Sequence, residues 1–134
     1  MELCFWKTKM KILLIEDVGQ ARRLLKKWLE NFGCEVVEAS NGNEGLDLYY
    51  DHRPELVIND IIMPGKDGIQ LMIELRRDFP NVKIFTISGA GVKDPGEYLS
   101  IAKDVRALRT FVKPIDKEAL LDAVLEFFPE TKQN

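Results

Sequence analysis
The chain has 134 residues, of which 46% are hydrophobic and 31% charged, and its net charge is -3. That length fits one domain able to bury a real core, and the composition is ordinary for a soluble protein. The charge offers no general reason for nucleic-acid binding, and no apolar run approaches the ~20 residues that span a bilayer.

The chain opens with a short apolar patch, Leu3-Cys4-Phe5-Trp6, that lacks the apolar core and cleavage site of a signal peptide. Met10-Lys11-Ile12-Leu13-Leu14 reads as the natural start of a domain, so residues 1–9 are expected to be an extension, an over-long start or a cloning remnant. Cys4 and Cys34 form neither a metal pattern nor a disulfide framework, and read as reduced thiols in a cytoplasmic protein.

Strand and helix patterns then alternate. Residues 11–15 are a branched apolar run, a buried strand. Ala21, Leu24, Leu25, Trp28, Leu29 and Phe32 mark one face of a first helix, and Gly33 suits the position just past its end. Residues 34–39 are the second strand. Asn41 caps a second helix running to about Asp51, which Arg53-Pro54 stops. His52, the single histidine, lies at that helix end, where a cation suits the dipole.

Residues 56–59 are the third strand, and Pro64 to Gly68 form a loop. Ile69, Met72, Ile73, Leu75 and Phe79 predict a third helix closed by Pro80, and residues 82–87 a fourth strand. Pro95 opens a fourth helix with Tyr98, Leu99, Ala102 and Val105 inward. Residues 110–112 are the fifth strand, ended by Pro114. Asp116 caps a fifth helix with Leu120, Leu121, Val124, Leu125 and Phe128 as its stripe, stopped by Pro129. Five βα units in roughly 120 residues predict an α/β fold: a doubly wound parallel sheet with helices on both faces.

In such sheets ligands bind outside the carboxyl ends of the strands. Asp60 stands at such an end, directly after Leu56-Val57-Ile58-Asn59. It is a candidate nucleophile, since carboxylates form acyl phosphates; the plain alternative is an Asp bonded to its own turn. Glu16 and Asp17 follow the first strand. Adjacent acids repel, and a hard cation such as Mg²⁺ removes that cost, whereas the plain alternative is a helix cap.

Ser88, before Gly89, offers a hydroxyl to a phosphoryl oxygen, or is simply a turn serine. Thr86 shares its side of the strand. Lys113 is a point charge suited to phosphate, or a solubilising surface residue. All four groups fall at one sheet edge. Together they point to a phosphoryl-accepting site that uses a divalent metal.

Glu16-Asp17, Asp60 with Ile61-Ile62-Met63-Pro64-Gly65-Lys66-Asp67-Gly68, Ser88-Gly89 and Lys113-Pro114, in this order, resemble the receiver domain of two-component response regulators over residues 10–129, with 130–134 as a polar tail. The resemblance implies a flavodoxin-like fold with strand order 2-1-3-4-5. It implies that Asp60 takes a phosphoryl group from a phosphohistidine on a histidine kinase or phosphotransfer protein. Glu16, Asp17, Asp60 and the Ile62 backbone carbonyl would hold Mg²⁺ (or Mn²⁺), Ser88 would bind the phosphoryl group, and Lys113 would pair with Asp60. The protein would then be a regulatory phosphoacceptor rather than an enzyme with an outside substrate.

The resemblance also implies a downstream protein partner on the face of the fourth helix, fifth strand and fifth helix, near Tyr98, Arg106 and Arg109. It leaves a homodimer open and implies neither nucleic-acid contact nor membrane insertion. The sequence stops shortly after the fifth helix, as expected of a stand-alone receiver or of a fragment of a longer protein.

Two departures stand out. The aromatic switch residue of many receivers is replaced by Thr110, and strand alternation turns Phe111 to the opposite side. Ser88 and Thr110 thus form the expected switch region. At two positions that often govern attack of water on the phosphate the chain has Ile62 and Ala90, which cannot orient water, so slow autodephosphorylation is expected. Two further readings compete. A haloacid-dehalogenase-like phosphatase would carry a D-x-D pair on its first strand, whereas here the candidate nucleophile is on the third strand and residue 62 is Ile. A pseudo-receiver, binding partners without phosphorylation, would be marked by a missing acid, serine or lysine, and none is missing.

Overall fold
The computed structural model describes residues 9–61, 68–89 and 103–131. Its elements are β1 (Met10–Ile15), α1 (Gly19–Asn31), β2 (Cys34–Ala39), α2 (Gly42–His52), β3 (Leu56–Asp60), α3 (Gly68–Asp78), β4 (Ile84–Ser88), β5 (Arg109–Val112) and α4 (Lys117–Phe127). The last of these is the fifth helix expected from sequence. The expected fourth, with Pro95, Tyr98, Leu99 and Ala102, lies outside the described residues; Val105, at its end, is buried.

The five strands form one parallel sheet in the order β2-β1-β3-β4-β5. β1 and β3 sit in the middle and are apolar on both faces, as a sheet covered twice requires. Alternation sends their side chains to two cores. Ile12, Leu14, Ile58, Phe85 and Ile87 pack with Leu25 and Leu29 of α1 and Leu120, Leu121 and Val124 of α4. Leu13, Ile15, Val57 and Ile84 pack with Tyr49 of α2 and Leu71, Met72 and Leu75 of α3. Among the described residues the four helices therefore divide two and two between the faces.

Local signals act where the sequence places them. The Asn41 side chain accepts from the Glu44 amide at 2.8 Å, and Glu44 Oε1 in turn accepts from the Ser40 amide at 2.7 Å. Asp116 accepts from the Glu118 amide at 3.0 Å. Gly33 takes a φ of 99°, the left-handed conformation that ends α1. His52 lies in the last turn of α2. Cys34 is buried, and burial, with the nearby Glu55 charge, pushes its thiol up to about 11.

Two helix faces differ from expectation. Leu24 is 48% exposed, at the edge of a stripe centred on Leu25 and Leu29. Ile73 is 50% exposed, while Leu71 is fully buried in its stead. Each helix packs on the sheet by one side only, α1 on one face and α3 on the other, so its apolar stripe is narrower than its apolar content.

Candidate functional site
The carboxyl ends of β1, β3, β4 and β5 carry the polar groups of the molecule's upper edge. β1 runs on into Glu16, whose amide still donates to Ala39 O at 3.1 Å. Glu16 is completely buried and Asp60, the last residue of β3, is 2% exposed. Carboxylates are rarely buried so deeply without a partner. Here the partner is Lys113, one residue past β5. Its Nζ lies 2.9 Å from Asp60 Oδ2 and 2.9 Å from Glu16 Oε1.

The β4–β5 register brings this lysine in. Ser88 pairs with Val112, and the Lys113 amide donates to Ser88 O at 2.9 Å, so the chain reaches the edge beside β3 before it turns away. The Lys113–Pro114 peptide is cis. Burial by itself would lower the Lys113 pKa. Hydrogen bonds and attraction from Asp60 and Glu16 outweigh it and hold the ammonium above its ordinary value.

Asp17 completes the acidic group. One carboxylate oxygen from each of Glu16, Asp17 and Asp60 lies within 4.8 Å of the others. Burial raises the Asp17 pKa above its ordinary value, and hydrogen bonding and repulsion from Glu16 add to it. Three hard oxygen donors at this spacing, two of them deeply buried, are what a small divalent cation would bind. The donor set thus fits Mg²⁺.

The structure brings Glu16, Asp17, Asp60 and Lys113 together. Ser88 ends β4 next to them and is 8% exposed. Ile62 and Ala90 lie outside the described residues. Thr110 pairs with Thr86 across β4 and β5, and the Thr86 hydroxyl donates to Thr110 Oγ1 at 2.9 Å. Phe111 points to the other face, against Phe85 at 5.5 Å between ring centres. Arg109, expected near a partner surface, is exposed, pairs with Glu126 at 2.7 Å and lies over the Phe127 ring.

Two supports of the site carry no sequence motif. The Asn59 side chain donates to Gly68 O at 2.8 Å, tying the start of α3 to the tip of β3. Arg22 Nη1 donates to the backbone carbonyl of Glu16 at 2.7 Å. The only signal for Arg22 was its place one turn into α1, six residues after Glu16.

This arrangement, a buried acid at the tip of a central strand flanked by two acids and a lysine, can neutralise and orient a phosphoryl group. The chain belongs to the response regulator receiver domain family, whose model matches residues 12–125. It is 31% identical over 119 residues to sporulation initiation phosphotransferase F of Bacillus subtilis (strain 168), an alignment covering 89% of this chain and 94% of the relative. It is 36% identical over 119 residues to the probable transcriptional regulator ycf27 of Guillardia theta, covering 88% of this chain but 46% of that protein; the chain spans about half the length of such relatives.

Among solved structures, a response regulator receiver domain protein from Clostridium thermocellum superposes with a TM-score of 0.80 at 26% identity, covering 90% of this chain and 94% of the other. The flavodoxin-like fold and strand order expected from the resemblance are thereby the observed ones. No helix among the described residues is long and apolar enough to cross a membrane.

Proposed function
We propose that this protein is a phosphorylation-controlled signalling module in which Asp60 accepts a phosphoryl group from a phosphohistidine of a partner kinase or phosphotransfer protein. The observation that carries this reading is the position of Lys113 Nζ, 2.9 Å from both Asp60 Oδ2 and Glu16 Oε1 at the edge of three carboxylates. Similarity to a protein named a phosphotransferase supports the same exchange.

In the transfer the P–N bond of phosphohistidine breaks, its electron pair returning to the imidazole nitrogen, while a P–O bond forms to an Asp60 carboxylate oxygen. Such a reaction needs positioning and charge neutralisation more than covalent help. Lys113 supplies a fixed cation that stays with Asp60 before and after it gains the phosphoryl charge. Glu16, Asp17, Asp60 and the Ile62 carbonyl would hold Mg²⁺ (or Mn²⁺), which when bound supplies further neutralisation of the phosphoryl oxygens. Burial of Asp60 keeps water back and strengthens each of these attractions.

Ser88 is proposed to bind the new phosphoryl group through its hydroxyl, drawing the segment after β4 toward Asp60. Thr110 is held to Thr86 and Phe111 is packed away, so an inward-turning ring is not the device by which β5 responds. The altered surface then acts on a protein partner, while Ile62 and Ala90 keep self-dephosphorylation slow. Residues 10–129 form the receiver unit in this reading.

Intact-mass measurement after incubation with acetyl phosphate or phosphoramidate and Mg²⁺ tests it. The wild type should gain one phosphoryl group and Asp60→Asn none. A folded wild type that gains nothing overturns the proposal. A phosphoryl lifetime of seconds would refute the slow-loss component.

A further inference from the structure
The turn between β1 and α1 carries two of the three acids, yet it has little of its own to hold it. Val18 at the N-cap makes no side-chain cap bond, and the first turn of α1 has no acidic residue. The Glu16 carboxylate fills part of that role, because its Oε2 accepts from the Val18 amide at 3.1 Å. That is the same carboxylate whose other oxygen meets Lys113 and lies beside Asp17 and Asp60. A carboxylate that turned to ligate a cation would loosen the cap.

Arg22 holds the turn independently of the carboxylate. Its Nη1 donates to the Glu16 backbone carbonyl at 2.7 Å, short enough for a charge-assisted bond. Its Nε donates to Glu38 Oε1 on β2 at 3.2 Å, while Lys26 Nζ meets the other Glu38 oxygen at 2.9 Å. The Arg22 side chain is 19% exposed and that of Glu38 31%. Arg22 reaches its two acceptors from two nitrogens of one rigid planar fork, Nη1 to Glu16 and Nε to Glu38, a span that the single nitrogen of a lysine at this position does not reproduce. Glu38 is itself tied to α1 by Lys26, so the strand, the helix and the turn form a closed brace behind the acids.

We infer that Arg22, braced on Glu38, is a positioning residue that fixes the Glu16-Asp17 turn for divalent-cation binding. The inference rests on the reading of the three acids as a cation site. A purely electrostatic role predicts the opposite sign: a cation near the site repels Mg²⁺, so its removal would tighten binding. A purely structural role would lower stability and leave the affinity of the folded protein unchanged.

Calorimetric titration with Mg²⁺ separates these cases, using the full chain as wild type, Arg22→Lys, Arg22→Gln and Glu38→Gln, with thermal melts alongside. Positioning predicts that Arg22→Lys and Arg22→Gln both bind on the order of tenfold more weakly, as with other groups that orient metal ligands. Glu38→Gln, which keeps the contact to Glu16 but frees its tether, should weaken binding by a smaller factor. If the Arg22 variants do not fold, Glu38→Gln decides alone, and wild-type affinity in it overturns the inference. Folded Arg22 variants with unchanged or tighter Mg²⁺ binding also overturn it, and leave the cation site standing. A wild type that shows no Mg²⁺ binding removes the site and this inference together.

Discussion

Gly68 shows how one missing side chain shapes the site. It opens α3 just where the chain returns to the tip of β3, and its α-carbon lies against the Asp60 carbonyl. A β-carbon there would collide with Asp60 O and come within 2.7 Å of Asn59 Nδ2. Neither neighbour can give way cheaply, because one is backbone and the other donates to Gly68 O. Gly68→Ala is therefore expected to cost about 2–3 kcal/mol, the range for forcing atoms into a filled interior. Urea denaturation measures this, and a variant as stable as the wild type would show that the tip of β3 can move aside. The sequence marks Gly68 as a loop residue after Pro64 and Gly65. That it touches Asp60 depends on a contact across eight residues that no local pattern encodes.

At the scale of an element, α3 sets a stricter test of what periodicity can assign. Ile69, Met72, Ile73, Leu75 and Phe79 all fit an apolar stripe on paper. In the folded chain Leu71, Met72 and Leu75 are buried, and Ile73 faces outward. Leu71→Ala should cost about 3 kcal/mol, as for a leucine lost from a closed core. Ile73→Ala should stay within about 0.5 kcal/mol apart from helix propensity. Denaturant melts of the two variants compare them directly, and equal losses would contradict the observed face. The strands were easier to read. Alternation along β5 put Phe111 opposite Thr110 from sequence alone, because a period of two leaves no choice once the strand is identified. A helix of period 3.6 leaves a margin of one position at each side of its stripe.

At the scale of the whole molecule, four strand tips and one lysine share an edge that holds three carboxylates close together. Their repulsion is the part of the fold that a cation would relieve, so Mg²⁺ should stabilise the native state selectively. At a concentration about a hundredfold above its dissociation constant, linkage gives about 2.7 kcal/mol. The wild type should melt higher in Mg²⁺ than in EDTA, and Asp17→Asn should lose most of that difference. A melting temperature indifferent to Mg²⁺ in the wild type would take divalent binding out of the proposed function. The same edge explains why Lys113, one residue beyond β5, reaches Asp60 and Glu16. Parallel pairing in the order β2-β1-β3-β4-β5 places β1 beside β3 and β5 one strand away.

The alternation of strands and helices, the caps at Asn41 and Asp116, and the candidacy of Glu16, Asp17, Asp60, Ser88 and Lys113 are legible in the order of the residues. These are local properties: hydrophobic period, cap chemistry, and the position of a polar residue at the end of an apolar run. The order of the strands came from resemblance, since periodicity is blind to which strand lies beside which. The folded chain alone reveals that one ammonium serves two buried carboxylates, that Leu71 rather than Ile73 enters the core, and that Arg22 grips the Glu16 carbonyl from the next helix. Each of those depends on which groups are brought within bonding distance by elements far apart in the chain, and that distance exists only once the sheet has formed.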